Sequence, residues 1–352
     1  MKRTSLLVMI IIVALLFASC SNAPAKEENA SSIAITSSQS SDATSSQAEK
    51  KQIIVHSIES KAIANNMIGE SGKKEVYVYL PPSYYNDESK NYPVVYYFHG
   101  YSEYPGAIIN NIDQLNASMT ADGAKEFIVV EASGDNKYGG SFYANSPIIG
   151  NYEDYIIDEV IPFIDTTYRT IKTSDGRGAA GFSMGGFSCI NLSLKHPDVF
   201  SSVYSLSPGI FDENGLKDAM PTWEGFGQFK TGYGQTFCPM PEVPEEMTLQ
   251  PKFDGTKEDQ AIIEKWNSGY GDFSGKLQAY LKQTSKLKAI TIQVGEYDSY
   301  AWIPNGCKYF SKLLKENKVE HELIIIEGLG HQIPSDFISK SLVPFFNKNL
   351  TY

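Results

Sequence analysis

Along most of the chain, apolar positions follow two repeats that take turns. Glu75-Val-Tyr-Val-Tyr-Leu80 alternates with period two and is closed by Pro81-Pro82, which predicts an early antiparallel strand. Val94 to Phe98 and Phe127 to Val130 are continuous apolar runs, the pattern of parallel strands buried on both faces. Between them, 105–125 supplies a crossover helix. Tyr152, Tyr155, Ile156, Val160, Phe163 and Ile164 recur at helical spacing. Gly178 to Phe182 is a short apolar run that passes at once into a helical pattern. Val203 to Leu206, Ile290 to Val294 and Leu323 to Ile326 are further strands. Tyr309, Leu313 and Leu314 mark a helix between the last two, and Phe337, Ile338, Leu342, Phe345 and Phe346 mark a final one. Strands taking turns with helices predict an α/β fold: a mostly parallel central sheet flanked by helices.

Two regions depart from this rhythm. Residues 209–286 are rich in Gly, Pro and aromatics and show no clear strand, so they read as an insertion between two strands of one domain spanning 52–352. The N-terminus departs further. Lys2 and Arg3 precede Leu6 to Ala18, an apolar run too short to span a bilayer comfortably but suited to a secretory signal. It ends in Leu16-Phe17-Ala18-Ser19-Cys20, which resembles a bacterial lipoprotein signal. Residues 1–19 are then a signal peptide, and Cys20 becomes the lipidated N-terminus. Residues 20–51, with nine serines, read as a disordered tether. The expected location is the outer face of the cell membrane, held by lipid; an ordinary signal peptide and secretion is the alternative.

Composition narrows the partners. The chain has 352 residues, 30 Lys+Arg against 41 Asp+Glu, and a formal charge of −11. An acidic chain with no basic run after Arg3 argues against nucleic acid, and against an anionic membrane surface as the main partner. Three cysteines remain after Cys20. Cys189 lies in a predicted buried helix, so Cys238–Cys307 is the one pairing that an oxidising compartment makes worth naming. No Cys or His spacing suggests a metal site.

The chemistry concentrates at Gly181-Phe182-Ser183-Met184-Gly185, a GxSxG motif followed by Gly186. It sits between a short apolar strand and a helical pattern, the setting of a nucleophile elbow. The chain must turn sharply there, and side chains flanking the serine would clash, so glycines surround it. The turn exposes the Ser183 hydroxyl and aims the Met184 N–H at the place where an oxyanion forms. A serine nucleophile needs a base and the base needs a carboxylate, in the chain order serine, acid, histidine for this kind of elbow. Past the nucleophile helix only His321 and His331 remain. His331 follows strand 323–326 on a Gly-rich loop, whereas His321 precedes that strand at the opposite end of the sheet. His196 ends the nucleophile helix, and His56 lies too early. The acid falls in Gly295-Glu-Tyr-Asp298, with Asp298 preferred and Glu296 the alternative. A second oxyanion donor is expected after strand 94–98, where Phe98-His99-Gly100-Tyr101 points to the Tyr101 N–H and leaves His99 to brace the loop.

Several pieces then resemble one family: Tyr97-Phe-His-Gly100, Ser141-Phe-Tyr143, Tyr168-Arg169, Arg177 through Gly186, Leu194 through Phe200, His321-Glu-Leu323 and Gly330-His331. They are similar to the esterase branch of the α/β-hydrolases that holds carbohydrate esterase family 1, feruloyl esterases and esterase-D-like enzymes. The resemblance covers about 75–347 apart from the insertion. It implies Ser183, His331 and Asp298 as a catalytic triad, Tyr101 and Met184 as oxyanion donors, and no cofactor. It implies a serine esterase acting on an ester substrate, with a carbohydrate-linked feruloyl or acetyl ester expected. Siderophore-ester hydrolysis and a non-catalytic, carbohydrate-binding lipoprotein are the alternatives. In the insertion, Trp223 and Trp266 are candidates for substrate contact, with Tyr101 at the other wall. The contrary reading gives most insertion aromatics to a small local core.

Overall fold

The computed structural model describes residues 51–213 and 215–352. The signal, Cys20 and nearly all of the tether expected above lie outside these residues. The described chain builds an eight-stranded sheet. Its strands are β1 (Ile53–Glu59), β2 (Lys73–Tyr79), β3 (Val94–Phe98), β4 (Ile128–Ala132), β5 (Arg177–Phe182), β6 (Ser202–Leu206), β7 (Ala289–Gly295) and β8 (Glu322–Ile326). Their spatial order is β1-β2-β4-β3-β5-β6-β7-β8. The β1–β2 and β2–β4 pairs are antiparallel, and every pair from β4–β3 to β7–β8 is parallel. The sheet is an α/β-hydrolase sheet, as the strand–helix alternation predicts. No strand is foreseen at β1, because Ile53-Ile-Val-His-Ser-Ile-Glu59 alternates between half-buried and exposed positions and buries none of them fully.

The central strands bury both faces, and alternate residues feed two cores. Val94, Tyr96 and Phe98 of β3 face one, with Ala179 and Val203; Val95 and Tyr97 face the other, with Ala180, Tyr204 and Leu206. Helix α1 (Ile112–Met119) covers the second core, as does α8 (Val343–Asn349) near the C-terminus. The first core is covered by α2 (Ile161–Thr167), α3 (Met184–Lys195) and α7 (Trp302–Glu316). One buried acid shapes the loop after β3. The Glu131 side chain, on β4, accepts N–H bonds from Gly106 (2.8 Å), Ile108 (2.9 Å) and Ile109 (2.7 Å). Burial pushes its pKa up to about 7, while those donors pull it back down.

The insertion leaves β6 and returns at β7. It carries α4 (Phe229–Phe237), α5 (Lys257–Tyr270) and α6 (Phe273–Leu281), and no strand among its described residues. Its aromatics pack mainly on one another. Tyr233 stacks on Trp266 at 4.9 Å, and Tyr270 stacks on Phe187 of α3 at 4.2 Å. Lys276 of α6 is half-buried against α3 and donates to Asn191 Oδ1 (2.9 Å) and Gly269 O (2.6 Å). The pairing of Cys238 with Cys307, which the sequence leaves open, is not made: both thiols are free and buried. Burial raises the pKa of each.

Candidate active site

Strand β5 runs straight into α3, and Ser183 is the residue at the corner. Its φ of 55° and ψ of −112° are strained for a residue with a side chain. The glycines around it answer a shortage of space. A Cβ on Gly185 would stand 1.9 Å from Phe98 O, and one on Gly181 2.3 Å from Gly185 O. Either would push the elbow off the end of β3. The turn leaves Met184 as the first residue of α3, where an N–H has no partner within the helix.

The C-terminal ends of β7 and β8 bring two more side chains to this corner. His331 Nε2 lies 2.9 Å from Ser183 Oγ, and His331 Nδ1 lies 2.7 Å from Asp298 Oδ2. The Asp298 carboxylate is fully buried, and its Oδ1 accepts the Tyr300 N–H at 2.9 Å. Glu296 is exposed and makes no contact with the imidazole, so the carboxylate beside His331 is Asp298. The ring of His331 lies between Phe182, centroids 4.9 Å apart, and Tyr300, 5.1 Å and edge-on. Those two rings limit how far the imidazole can swing.

The loop after β3 closes the other side. His99 is buried; its Nε2 accepts the Gly134 N–H (2.9 Å), so Nδ1 carries the proton and donates to Gly100 O at 2.8 Å. Burial lowers its pKa, consistent with a neutral ring that braces the loop. Gly100 N donates to Glu103 Oε2 (2.7 Å), and Ser102 N to Gly139 O (2.8 Å). Tyr101 thus sits in a loop held on three sides, facing the same cavity as Ser183, Met184 and His331.

That cavity has a volume of about 220 Å³. Its walls are mostly rings: Phe142 and Phe182 from the core, Tyr300 from the loop carrying Asp298, Trp302 from the start of α7, and Trp223 and Phe226 from the insertion. An apolar cavity of about 150 Å³ is enough to take benzene, so this one has room for a single substituted ring. Of the residues singled out from sequence, Tyr101 and Trp223 do line it. Trp266 does not. It is fully buried within the insertion, stacked on Tyr233, and its Nε1 donates to Leu249 O at 2.8 Å. The other histidines are engaged elsewhere: His56 with Tyr168 OH (2.6 Å), His196 with Glu153 (2.8 Å) and His321 with Ser311 Oγ (2.7 Å). Sequence reasoning missed Glu103, Phe142, Tyr300 and Trp302 as cavity residues. A signal existed for three of them. Tyr300 and Trp302 follow Asp298 too closely in the chain to lie far from it, and Glu103 follows Gly100 by one turn.

The sequence pattern of the family described as "Putative esterase" matches residues 70–262, more than half of the chain. An endo-1,4-beta-xylanase/feruloyl esterase of Xylanibacter ruminicola is 34% identical over 152 residues, covering 40% of this chain and 20% of that protein. An esterase of Mycobacterium tuberculosis is 33% identical over 132 residues, 36% of this chain and 28% of that one. The chain thus matches under a third of the length of these curated relatives. Among solved structures, a ferulic acid esterase superposes with a TM-score of 0.56 at 20% identity, covering 85% of this chain and 98% of its own. An S-formylglutathione hydrolase from Agrobacterium tumefaciens superposes with a TM-score of 0.56 at 16% identity, covering 85% and 95%. At these identities the likeness is one of fold. The elbow in its strand–helix corner, the sheet order and the family match converge: this chain belongs to the "Putative esterase" family, carboxylic ester hydrolases built on the α/β-hydrolase fold.

Proposed function

We propose that this chain is an exported, lipid-tethered serine esterase that cleaves carboxylic esters through Ser183, His331 and Asp298. The observation that carries the reading is the continuous hydrogen-bonded run from Ser183 Oγ through His331 to Asp298, opening on a ring-lined cavity. Ser183 Oγ attacks the ester carbonyl carbon while His331 Nε2 takes its proton. Asp298 holds the imidazole in the tautomer whose Nε2 is free to accept. Charge gathers on the carbonyl oxygen, where the Met184 and Tyr101 N–H groups receive it; one such donor is typically worth about 3 kcal/mol of barrier. His331 returns the proton to the departing alcohol. Water, activated by the same imidazole, then releases the acid from Ser183. No cofactor is needed for these steps.

The substrate is a feruloyl or acetyl ester borne on plant polysaccharide fragments. Two observations support it: a relative whose name joins xylanase to feruloyl esterase, and a cavity sized for one ring. Export and anchoring rest on the N-terminal sequence, where Cys20 accepts the lipid and the chain acts outside the cell. A fluorophosphonate probe tests the chemistry. Wild type should label and Ser183→Ala should not; a folded wild type that stays unlabelled overturns the esterase reading in favour of a binding protein. A panel of acetyl, feruloyl and catecholate esters then tests the substrate, with feruloyl or acetyl turnover expected to lead. For the anchor, Cys20→Ala should move the protein from the membrane fraction to the medium.

A further inference from the structure

The cavity is unbalanced in charge. Among the described residues that line it, Glu103 is the one acid, and no lysine or arginine is present. The rest of the lining is rings, aliphatic groups, Ser183 and His331. Glu103 reaches this place for a local reason: its Oε2 accepts the Gly100 N–H at 2.7 Å and so closes the turn ahead of Tyr101. A Cβ on Gly100 would lie 2.9 Å from that oxygen, so glycine gives the carboxylate its seat. The second oxygen, Oε1, has no hydrogen-bond partner among the described residues. Lys137, in the adjoining groove beyond Tyr101, makes no ion pair with it; its ammonium donates to Ile68 O at 2.6 Å.

We infer that Glu103 sets the charge selectivity of the site, admitting neutral acyl groups, rejecting those that carry their own carboxylate, and favouring departure of the acid product. This rests on the esterase reading above. An ester has no net charge at its reacting centre, and hydrolysis turns it into an alcohol and a carboxylate. Both an anionic acyl substituent and the product would share an apolar, ring-walled space with a fixed negative charge. Like charges in such surroundings repel several-fold more strongly than in water, because little solvent lies between them. A dicarboxylic half-ester would meet this repulsion on entering, and the simple acid would meet it only after the bond is broken. The repulsion therefore acts on selection of substrate and on clearance of product, with no cost to binding a neutral ester.

The test compares 4-nitrophenyl butyrate with 4-nitrophenyl hemisuccinate, which are of similar length and differ by a terminal carboxylate. Wild type should favour the butyrate in kcat/KM by about tenfold or more. The ratio is read within each variant, so a general loss of activity cancels. Glu103→Gln keeps an oxygen for Gly100 N and removes the charge; it should narrow the ratio at least fivefold and lower the inhibition constant for free butyrate. Glu103→Lys should narrow it further. In the wild type alone, raising salt from about 20 to about 500 mM should also narrow the ratio, since the Debye length shrinks over that range. If the ratio stays within twofold of the wild type in Glu103→Gln and does not respond to salt, the inference is wrong. Failure of wild type to turn over butyrate at all, with no difference from Ser183→Ala, would instead sink the esterase reading.

Discussion

At the elbow, backbone meets backbone: Gly185 lies against Phe98 O and Gly181 against Gly185 O, with no room for a methyl group in either place. Across the cavity, side chain meets side chain: Trp223 packs on Phe229 at 4.9 Å and on Tyr233 at 5.1 Å, and Phe226 leans over the opening with 43% of its surface exposed. The first kind of contact admits one residue type and one geometry. The second can be met by many combinations of rings. Ser183 is therefore fixed by the sheet, whereas part of the cavity wall comes from an insertion that can vary without disturbing the elbow.

This contrast can be broken at both ends. The largest effect should come from the machinery. Asp298→Asn should lower kcat about 10⁴-fold while leaving the melting temperature nearly unchanged, because the amide offers His331 the wrong hydrogen-bonding partner. Glu296→Gln, one turn away and exposed, should change kcat less than twofold; equal losses at both positions would put the acid in doubt. Next comes the insertion core. Trp266→Ala should cost about 3–5 kcal/mol of stability, read by denaturant unfolding. The folded fraction should keep its KM, since this ring does not line the cavity.

A third test sits on the seam between the two regions. Burial lowers the pKa of Lys276 from 10.5 to about 8, with Lys195 adding to the shift and Asp272 and Glu153 opposing it. Its folded pKa lies below its unfolded value, so between those two pH values the unfolded chain binds more protons than the fold. Stability should therefore rise with pH across that window, by up to about 3 kcal/mol, relative to Lys276→Met, which lacks the group. Thermal melts of both proteins from pH 7 to 10.5 check this; parallel curves would show that the lysine is not desolvated. The smallest effect is expected at the rim. Phe226→Ala should leave stability within about 0.5 kcal/mol and raise KM several-fold for esters with a ring-bearing acyl group, with little change for acetyl esters.

The same contrast explains what could be read from the sequence. Val94 to Phe98 and Gly178 to Phe182 are legible as strands because burial on both faces removes every polar position. The elbow is legible because glycine is forced wherever backbones touch. Asp298 is legible because its distance from the end of a strand is fixed by the fold. Trp266 is not, because an aromatic in a Gly- and Pro-rich stretch gives no sign of which way its ring turns; here it points inward onto Tyr233. The cysteines are undecided in the sequence for a related reason: residue type allows a bridge, but only packing decides whether two thiols meet. Glu103 is only faintly legible as a cavity residue: its place one turn past Gly100 is a signal, but its seat depends on a hydrogen bond back to Gly100.

His331, the proposed base, hangs from the outermost strand. Among the described residues one strand, β7, pairs with β8, none of the residues of β8 is fully buried, and Ile325 is 43% exposed. Edges of this kind open first, in fluctuations that leave the rest of the sheet intact. An opening here would carry His331 away from Ser183 and return it. Heat should therefore silence activity at a temperature where circular dichroism still reports a folded protein. Amide hydrogens of β8 should exchange with solvent well before those of β3 and β5, and cooling should restore activity without refolding.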